Sequence, residues 1–224
     1  MSLYGHSFAR WRDAAGTGWG AFTRHDFVLG LGDGTLPDEA YLRYLVQDYL
    51  FLIQFARAWA LVVTKADTIA EMRHAAATVD LLINQEIALH VETCAAAGLG
   101  ETALIEAQEH VATIAYTRYV LDAGNAGDLL DLLATLAPCV MGYGEIGLTL
   151  RQTATSDRYH DWIATYAGAP YQEGCQRVGS LIDGAVLRRL GPAPETSPRW
   201  AALARRFGTA TRLETGFWAM GLEG

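Results

Sequence analysis

Apolar residues recur three and four apart along nearly the whole chain, and only six prolines interrupt them in 224 residues. That interval is the period of one face of an α-helix, and it leaves little room for the alternation that marks strands. The sequence therefore predicts an all-α protein. No segment repeats and no linker is long enough to divide the chain, so residues 1–224 read as a single domain. Helices are expected at 7–18, 23–29, 37–65, 101–122, 126–153, 157–166, 171–190 and 197–222, with a further one capped by Asp67 and lasting to Gly98. The run from Gly30 to Gly34 is expected as a turn; it lacks G-x-G-x-x-G spacing and follows no strand, so it does not read as a dinucleotide site. Gly-Pro-Ala-Pro-Glu at 191–195 is the clearest loop.

Composition narrows the function classes. Hydrophobic residues make up 51% and charged residues 19%, which excludes a disordered chain. Seventeen Lys and Arg against 25 Asp and Glu give a net charge of −8, whose field repels a phosphate backbone, so no nucleic-acid partner is expected. Arg188, Arg189, Arg199, Arg205, Arg206 and Arg212 make the last third locally basic, as a solvated helix face would. Cys94, Cys139 and Cys175 cannot all pair internally and have no zinc-ligand spacing, which fits a reducing cytoplasm. The first residues carry no basic or apolar leader region, and the longest apolar stretch, 50–63, contains Gln54 and Arg57. Neither secretion nor a membrane partner is expected.

The informative positions break an apolar stripe from within. One stripe reads Tyr41, Tyr44, Leu45, Asp48, Phe51, Leu52, Phe55, and another reads Leu203, Phe207, Ala210, Glu214, Phe217, Trp218. A buried carboxylate without a partner costs several kcal/mol, so each acid must pair with a base or an amine, stay protonated, or meet a ligand. Two such acids on separate helices suggest an enclosed polar pocket. A third stripe, Leu132, Leu136, Cys139, Tyr143, Ile146, Leu150, sets a thiol and a phenol one turn apart, directly after Pro138. Cys139 reads either as a small buried hydrophobe or as a nucleophile. Tyr116, Tyr119 and Tyr166 read either as core residues with satisfied hydroxyls or as ligand contacts.

Metal spacing is sparse. Glu71-x-x-His74 has the spacing of di-iron bundles, which need it twice together with two further glutamates, and Asp157-x-x-His160 is the nearest second copy. Glu86 and His90, four apart on one helix, read as a supporting pair before they read as ligands. His25 could ligate haem in principle, with nothing else in support. None of these makes a complete ligand set.

Five segments, Tyr44-Leu-Val-Gln-Asp-Tyr49, Ala115-Tyr-Thr-Arg-Tyr119, Leu136-Ala-Pro-Cys139, Trp162-Ile-Ala-Thr-Tyr166 and Glu214-Thr-Gly-Phe-Trp218, resemble in that order the motifs of the TenA/thiaminase II family. The resemblance covers nearly the whole chain. It implies a haem-oxygenase-like multi-helix bundle, a homotetramer, no metal or cofactor, and hydrolysis at the aminomethyl carbon of a 4-amino-2-methylpyrimidine in thiamin salvage. The substrate it implies is 4-amino-5-aminomethyl-2-methylpyrimidine or thiamin itself. By the same resemblance Cys139 is the nucleophile, Glu214 the acid/base at the ring nitrogen and Asp48 the anchor for the amidine edge. Tyr116, Tyr143, Tyr166 and Phe51 are substrate contacts, and Glu86 with His90 matches a supporting pair. Phe51 stands where several members carry tyrosine, which leaves stacking but removes a hydroxyl. The cysteine places the chain in the cysteine-containing branch. The alternatives are a non-catalytic pyrimidine-binding or regulatory protein, and an iron- or haem-dependent oxygenase of the same fold.

Overall fold

A computed structural model describes residues 3–223. In chain order its helices are α1 (His6–Ala15), α2 (Thr17–Thr23), α3 (Asp26–Asp33), α4 (Asp38–Lys65), α5 (Ile69–Leu81), α6 (Ile87–Ala96), α7 (Glu101–Glu106), α8 (Val111–Ala126), α9 (Leu129–Thr153), α10 (His160–Ala167), α11 (Ala169–Leu190) and α12 (Pro198–Leu222). A π-helical turn, Leu82–Glu86, joins α5 to α6, and a 3₁₀ turn, Pro194–Thr196, precedes α12. No strand occurs among the described residues, as the periodicity predicts. These residues form two compact units, one of residues 3–36 with 133–218, the other of 37–132 with 219–223.

In the first unit, α1 begins at Gly5 with no side-chain cap of its own. The amides of His6 and Ser7 instead donate to the carboxylate of Asp183 on α11, each at 2.8 Å. Gly179, also on α11, is required by close approach: a Cβ there would lie 2.0 Å from the carbonyl oxygen of Tyr4. Phe8, Trp19 and Phe207 interlock with ring centroids 5.5 to 5.9 Å apart. Glu145 on α9 accepts from Arg12 Nη1 at 2.6 Å and Trp19 Nε1 at 2.8 Å, so this acid is consumed in tying α1 and α2 down.

In the second unit, α4 packs against α5, α6 and α8. Its buried face, Tyr44, Leu45, Asp48, Phe51, Leu52, Phe55, Trp59 and Val62, follows the stripe read from the sequence. Gln47 fixes the segment before α8: its Oε1 accepts from the His110 amide and the Thr113 hydroxyl, and its Nε2 donates to the Gln108 carbonyl. By length and composition α4 and α9 could each cross a bilayer, and the most apolar stretch of α9 is 83% buried inside the protein.

Several expected boundaries are corrected. The helix expected at 7–18 breaks at Gly16, whose φ of 56° lies outside the helical range and separates α1 from α2. The Gly30–Gly34 run is not a turn: α3 continues through it to Asp33 and ends on Gly34 in the left-handed conformation. The cap of α5 is Thr68, not Asp67, in a capping box with Glu71. The helix expected from there to Gly98 contains the π-helical turn, and the one expected at 101–122 is broken at 107–110.

Candidate functional site

The nine residues singled out for function fall into two groups. Asp48, Phe51, Glu86, His90 and Tyr116 belong to the second unit, and Cys139, Tyr143, Tyr166 and Glu214 to the first.

In the second unit the centre is Asp48, 4% exposed on α4. Its Oδ2 accepts from the Tyr44 hydroxyl at 3.2 Å, and His90 Nε2 lies 2.7 Å from the same oxygen. The other ring nitrogen, Nδ1, donates to the main-chain carbonyl of Glu86 at 2.9 Å. Both donors to Asp48 converge on Oδ2, and no donor among the described residues reaches Oδ1. Burial acts to lower the His90 pKa, but the hydrogen bond to Asp48 and the charge of that group outweigh it and raise the value. The Glu86 carboxyl is pushed up to about 7, by burial first and by the negative charge of Asp48 second, with His90 opposing. Cys94, fully buried one turn beyond His90, has its thiol pKa raised by burial and by Asp48. Phe51 follows Asp48 by three residues and packs on Tyr116, with centroids 5.1 Å apart, and stacks on Phe55 at 5.2 Å. Tyr116 on α8 is itself fully buried.

In the first unit the corresponding feature is an aromatic cluster. Tyr143 on α9 lies 5.0 Å from Tyr166, 5.2 Å from Trp218 and 6.0 Å from Trp162, and Tyr166 continues to Tyr171 at 4.9 Å. Cys139, one turn before Tyr143, is half-buried, whereas Cys175 is fully buried and its thiol pKa is pushed up to about 12 by desolvation. Pro138 sits inside α9 without interrupting it. Having no N–H, it leaves the Ala134 carbonyl without its helical donor just before the cysteine. Glu214 is 1% exposed on α12, in the stripe read from the sequence; Leu203, Phe207, Ala210, Phe217 and Trp218 are all buried with it.

Two of the residues considered for metal, Glu71 and His25, cap helices instead. The Glu71 carboxylate accepts from the amides of Asp67 and Thr68 as half of the capping box. His25 Nδ1 caps α3 by accepting from the Phe27 amide, and His160 is exposed at the start of α10. No cluster of three or more His, Cys, Asp or Glu placed to hold a metal ion exists among the described residues.

Four contributors escaped the sequence reading as site residues. Tyr44, four residues before Asp48, was recoverable from i,i+4 spacing. Trp162 and Trp218 lie in recognised segments but read as core. Cys94 could not be placed beside Asp48, because the π-helical turn changes the register in between.

The TENA/THI-4/PQQC family model matches residues 12–224. A Haemophilus influenzae protein without a described function is 38% identical over 92% of this chain and 94% of its own length. An aminopyrimidine aminohydrolase of Halalkalibacterium halodurans is 33% identical over 90% of this chain and 89% of its own. A crystal structure described as a TenA family transcription regulator, from a Silicibacter species, superposes with a TM-score of 0.98 at 54% identity, covering 99% of this chain and 98% of that one. With a match from Arg12 onward and full-length relatives of the same helical fold, this chain belongs to the TENA/THI-4/PQQC family.

Proposed function

We propose that this chain is an aminopyrimidine aminohydrolase of the thiaminase II type, acting in thiamin salvage. It hydrolyses 4-amino-5-aminomethyl-2-methylpyrimidine to the 5-hydroxymethyl compound and ammonia. The class rests on family membership and on the 33% identical aminohydrolase. The observation that carries the substrate is Asp48: a buried carboxylate whose two donors both occupy Oδ2, so that Oδ1 is left to accept from the exocyclic amine of a flat aromatic ring. Phe51, packed on Tyr116, supplies an aromatic surface one turn along the same helix.

The chemistry needs a nucleophile and an acid. In this reading the Cys139 sulfur adds to a ring carbon while Glu214 protonates a ring nitrogen, because an aromatic ring accepts sulfur only if that nitrogen takes up the electron pair. The dearomatised adduct expels the amine, which leaves with the proton given up by the thiol. Water then adds its hydroxyl to the exocyclic methylene. The ring nitrogen returns its proton to Glu214, and the sulfur departs with the remaining proton of the water. Tyr143 and Tyr166 are substrate contacts in this reading. A homotetramer in the cytoplasm belongs to the same reading and is checked by sizing.

The test is ammonia release from this substrate, without added metal, by the native protein, Cys139→Ala and Glu214→Gln. The expected result is turnover by the native protein and losses of about 10²- to 10⁴-fold in each variant. Native protein that leaves both this compound and thiamin unchanged would overturn the hydrolase, and a Cys139→Ala variant of undiminished rate would overturn the nucleophile.

A further inference from the structure

We infer that His90 is held as a doubly protonated imidazolium that fixes Asp48 as an ionised anchor with Oδ1 presented to the ligand, and that the π-helical turn at Leu82–Glu86 sets the register that makes this possible. The inference deepens the proposed function and rests on it for the identity of the ligand.

The geometry carries the protonation state. Nδ1 of His90 faces a main-chain carbonyl, which can only accept, so that nitrogen must bear a hydrogen. Nε2 faces Asp48 Oδ2 at 2.7 Å, a charge-assisted length. A neutral pair would require a proton on Asp48 Oδ2, the oxygen on which Tyr44 and His90 both converge, and a carboxylate oxygen that gathers two donors favours the charged form. The groups around His90 agree. Asp48 faces it from α4 and Glu86 precedes it by one turn, while Glu101 and Glu106 of α7 and Glu92 of α6 are exposed to solvent. Burial leaves the side chains of His90 and Asp48 only 11% and 6% exposed, so water competes little for the pair.

The register explains how the pair meets. The Ile87 amide bonds the Leu82 carbonyl, five residues back, where an α-helix would bond four back. One extra residue in a turn rotates everything after it by about 100° relative to a continuous α-helix. Upstream, the buried residues of α5 are Glu71 and Ala75, followed by Leu82; downstream, the inward positions are Glu86, His90 and Cys94. The turn thus restores to α6 the face that α5 presents to the core of this unit, and brings His90 beneath Asp48.

The role is positioning: His90 acts on the ligand through Asp48. The test joins a spectroscopic and a kinetic reading on the full chain. In ¹⁵N-histidine-labelled protein, with His90→Gln used to assign the signal, both ring nitrogens of His90 are expected in the protonated range at about pH 7 and above the ordinary histidine value. The titration should move down in Asp48→Asn. In Glu86→Gln it should move down less than in Asp48→Asn, since the hydrogen bond to the residue-86 carbonyl is kept and only the weaker charge of the carboxyl is lost. Kinetically, His90→Gln is expected to raise KM for the aminomethylpyrimidine about 10- to 100-fold, the loss that follows when a buried carboxylate is left without its charged donor, with kcat changed far less. An unprotonated ring nitrogen at that pH, or a titration indifferent to Asp48→Asn, overturns the proposal. So does an unchanged KM in His90→Gln. If the native protein does not process the aminopyrimidine, the hydrolase reading fails, and the ring-nitrogen spectrum by itself decides the state of His90.

Discussion

Asp48 and Tyr143 are both buried on long helices, yet their surroundings make different demands on the sequence. Around Tyr143 the rings of Tyr166, Trp162 and Trp218 meet face and edge, contacts that do not need a particular atom in a particular place. Around Asp48 two donors are aimed at one oxygen, and a rotation of one residue in α6 would remove His90 altogether. The aromatic group tolerates local imprecision and contributes burial. The polar group contributes little unless its geometry is met, because a buried carboxylate without donors is destabilising.

The largest expected effect strikes the aromatic group. Trp218→Ala should cost about 3–5 kcal/mol in urea unfolding, since the ring is fully buried against Phe27 and Tyr143. A loss below about 1 kcal/mol would erase the contrast by showing that the cluster collapses freely. Next comes Asp48→Asn, which keeps the shape and removes the charge. Its turnover efficiency should fall about 100-fold, while aromatic packing, followed by near-ultraviolet dichroism, stays native. Loss of that dichroic signal would mean that the polar group supports packing as well.

A smaller effect concerns pH. Glu86 has its pKa raised from 4.5 to about 7, so the folded state holds a proton that the unfolded chain has released, and stability falls as pH rises across that window. His90, also raised, contributes stability that is fully present below its ordinary 6.5 and is lost as pH climbs through the raised value. Melting temperatures of Glu86→Gln should therefore lack the decline at the acid end of this range and keep the one above it. An unaltered profile in the variant would remove Glu86 from the account. The smallest change is Phe51→Tyr, which adds one hydroxyl beside Tyr116. It should alter the ratio of activities on aminomethylpyrimidine and thiamin by no more than about 10-fold.

The sequence was most legible where one helix decides the outcome. Apart from Tyr41, which is half-buried, the stripes holding Asp48 and Glu214 are buried as read, because i,i+3 and i,i+4 neighbours share a face whatever packs against it. Helix ends were less legible. Gly16 stops α1 while Gly30 and Gly32 lie inside α3, and nothing local separates the glycine that must take a positive φ from those that merely tolerate a helix. Glu71 with His74 looked like half of a metal site, although Thr68-x-x-Glu71 is also capping-box spacing, and it is the cap that the structure forms.

By itself, then, the sequence determined the helical class, the acids misplaced in apolar faces, and the five segments by which the family is recognised, all of which follow from local periodicity and residue type. Tertiary structure decided which donors reach which oxygen. That Asp183 caps α1 across 176 residues, that Gln47 holds the segment before α8, and that a π-helical turn brings His90 to Asp48 depend on distances between helices far apart in the chain. A hydrogen bond falls off within a fraction of an ångström, and no periodicity along the chain encodes such a distance.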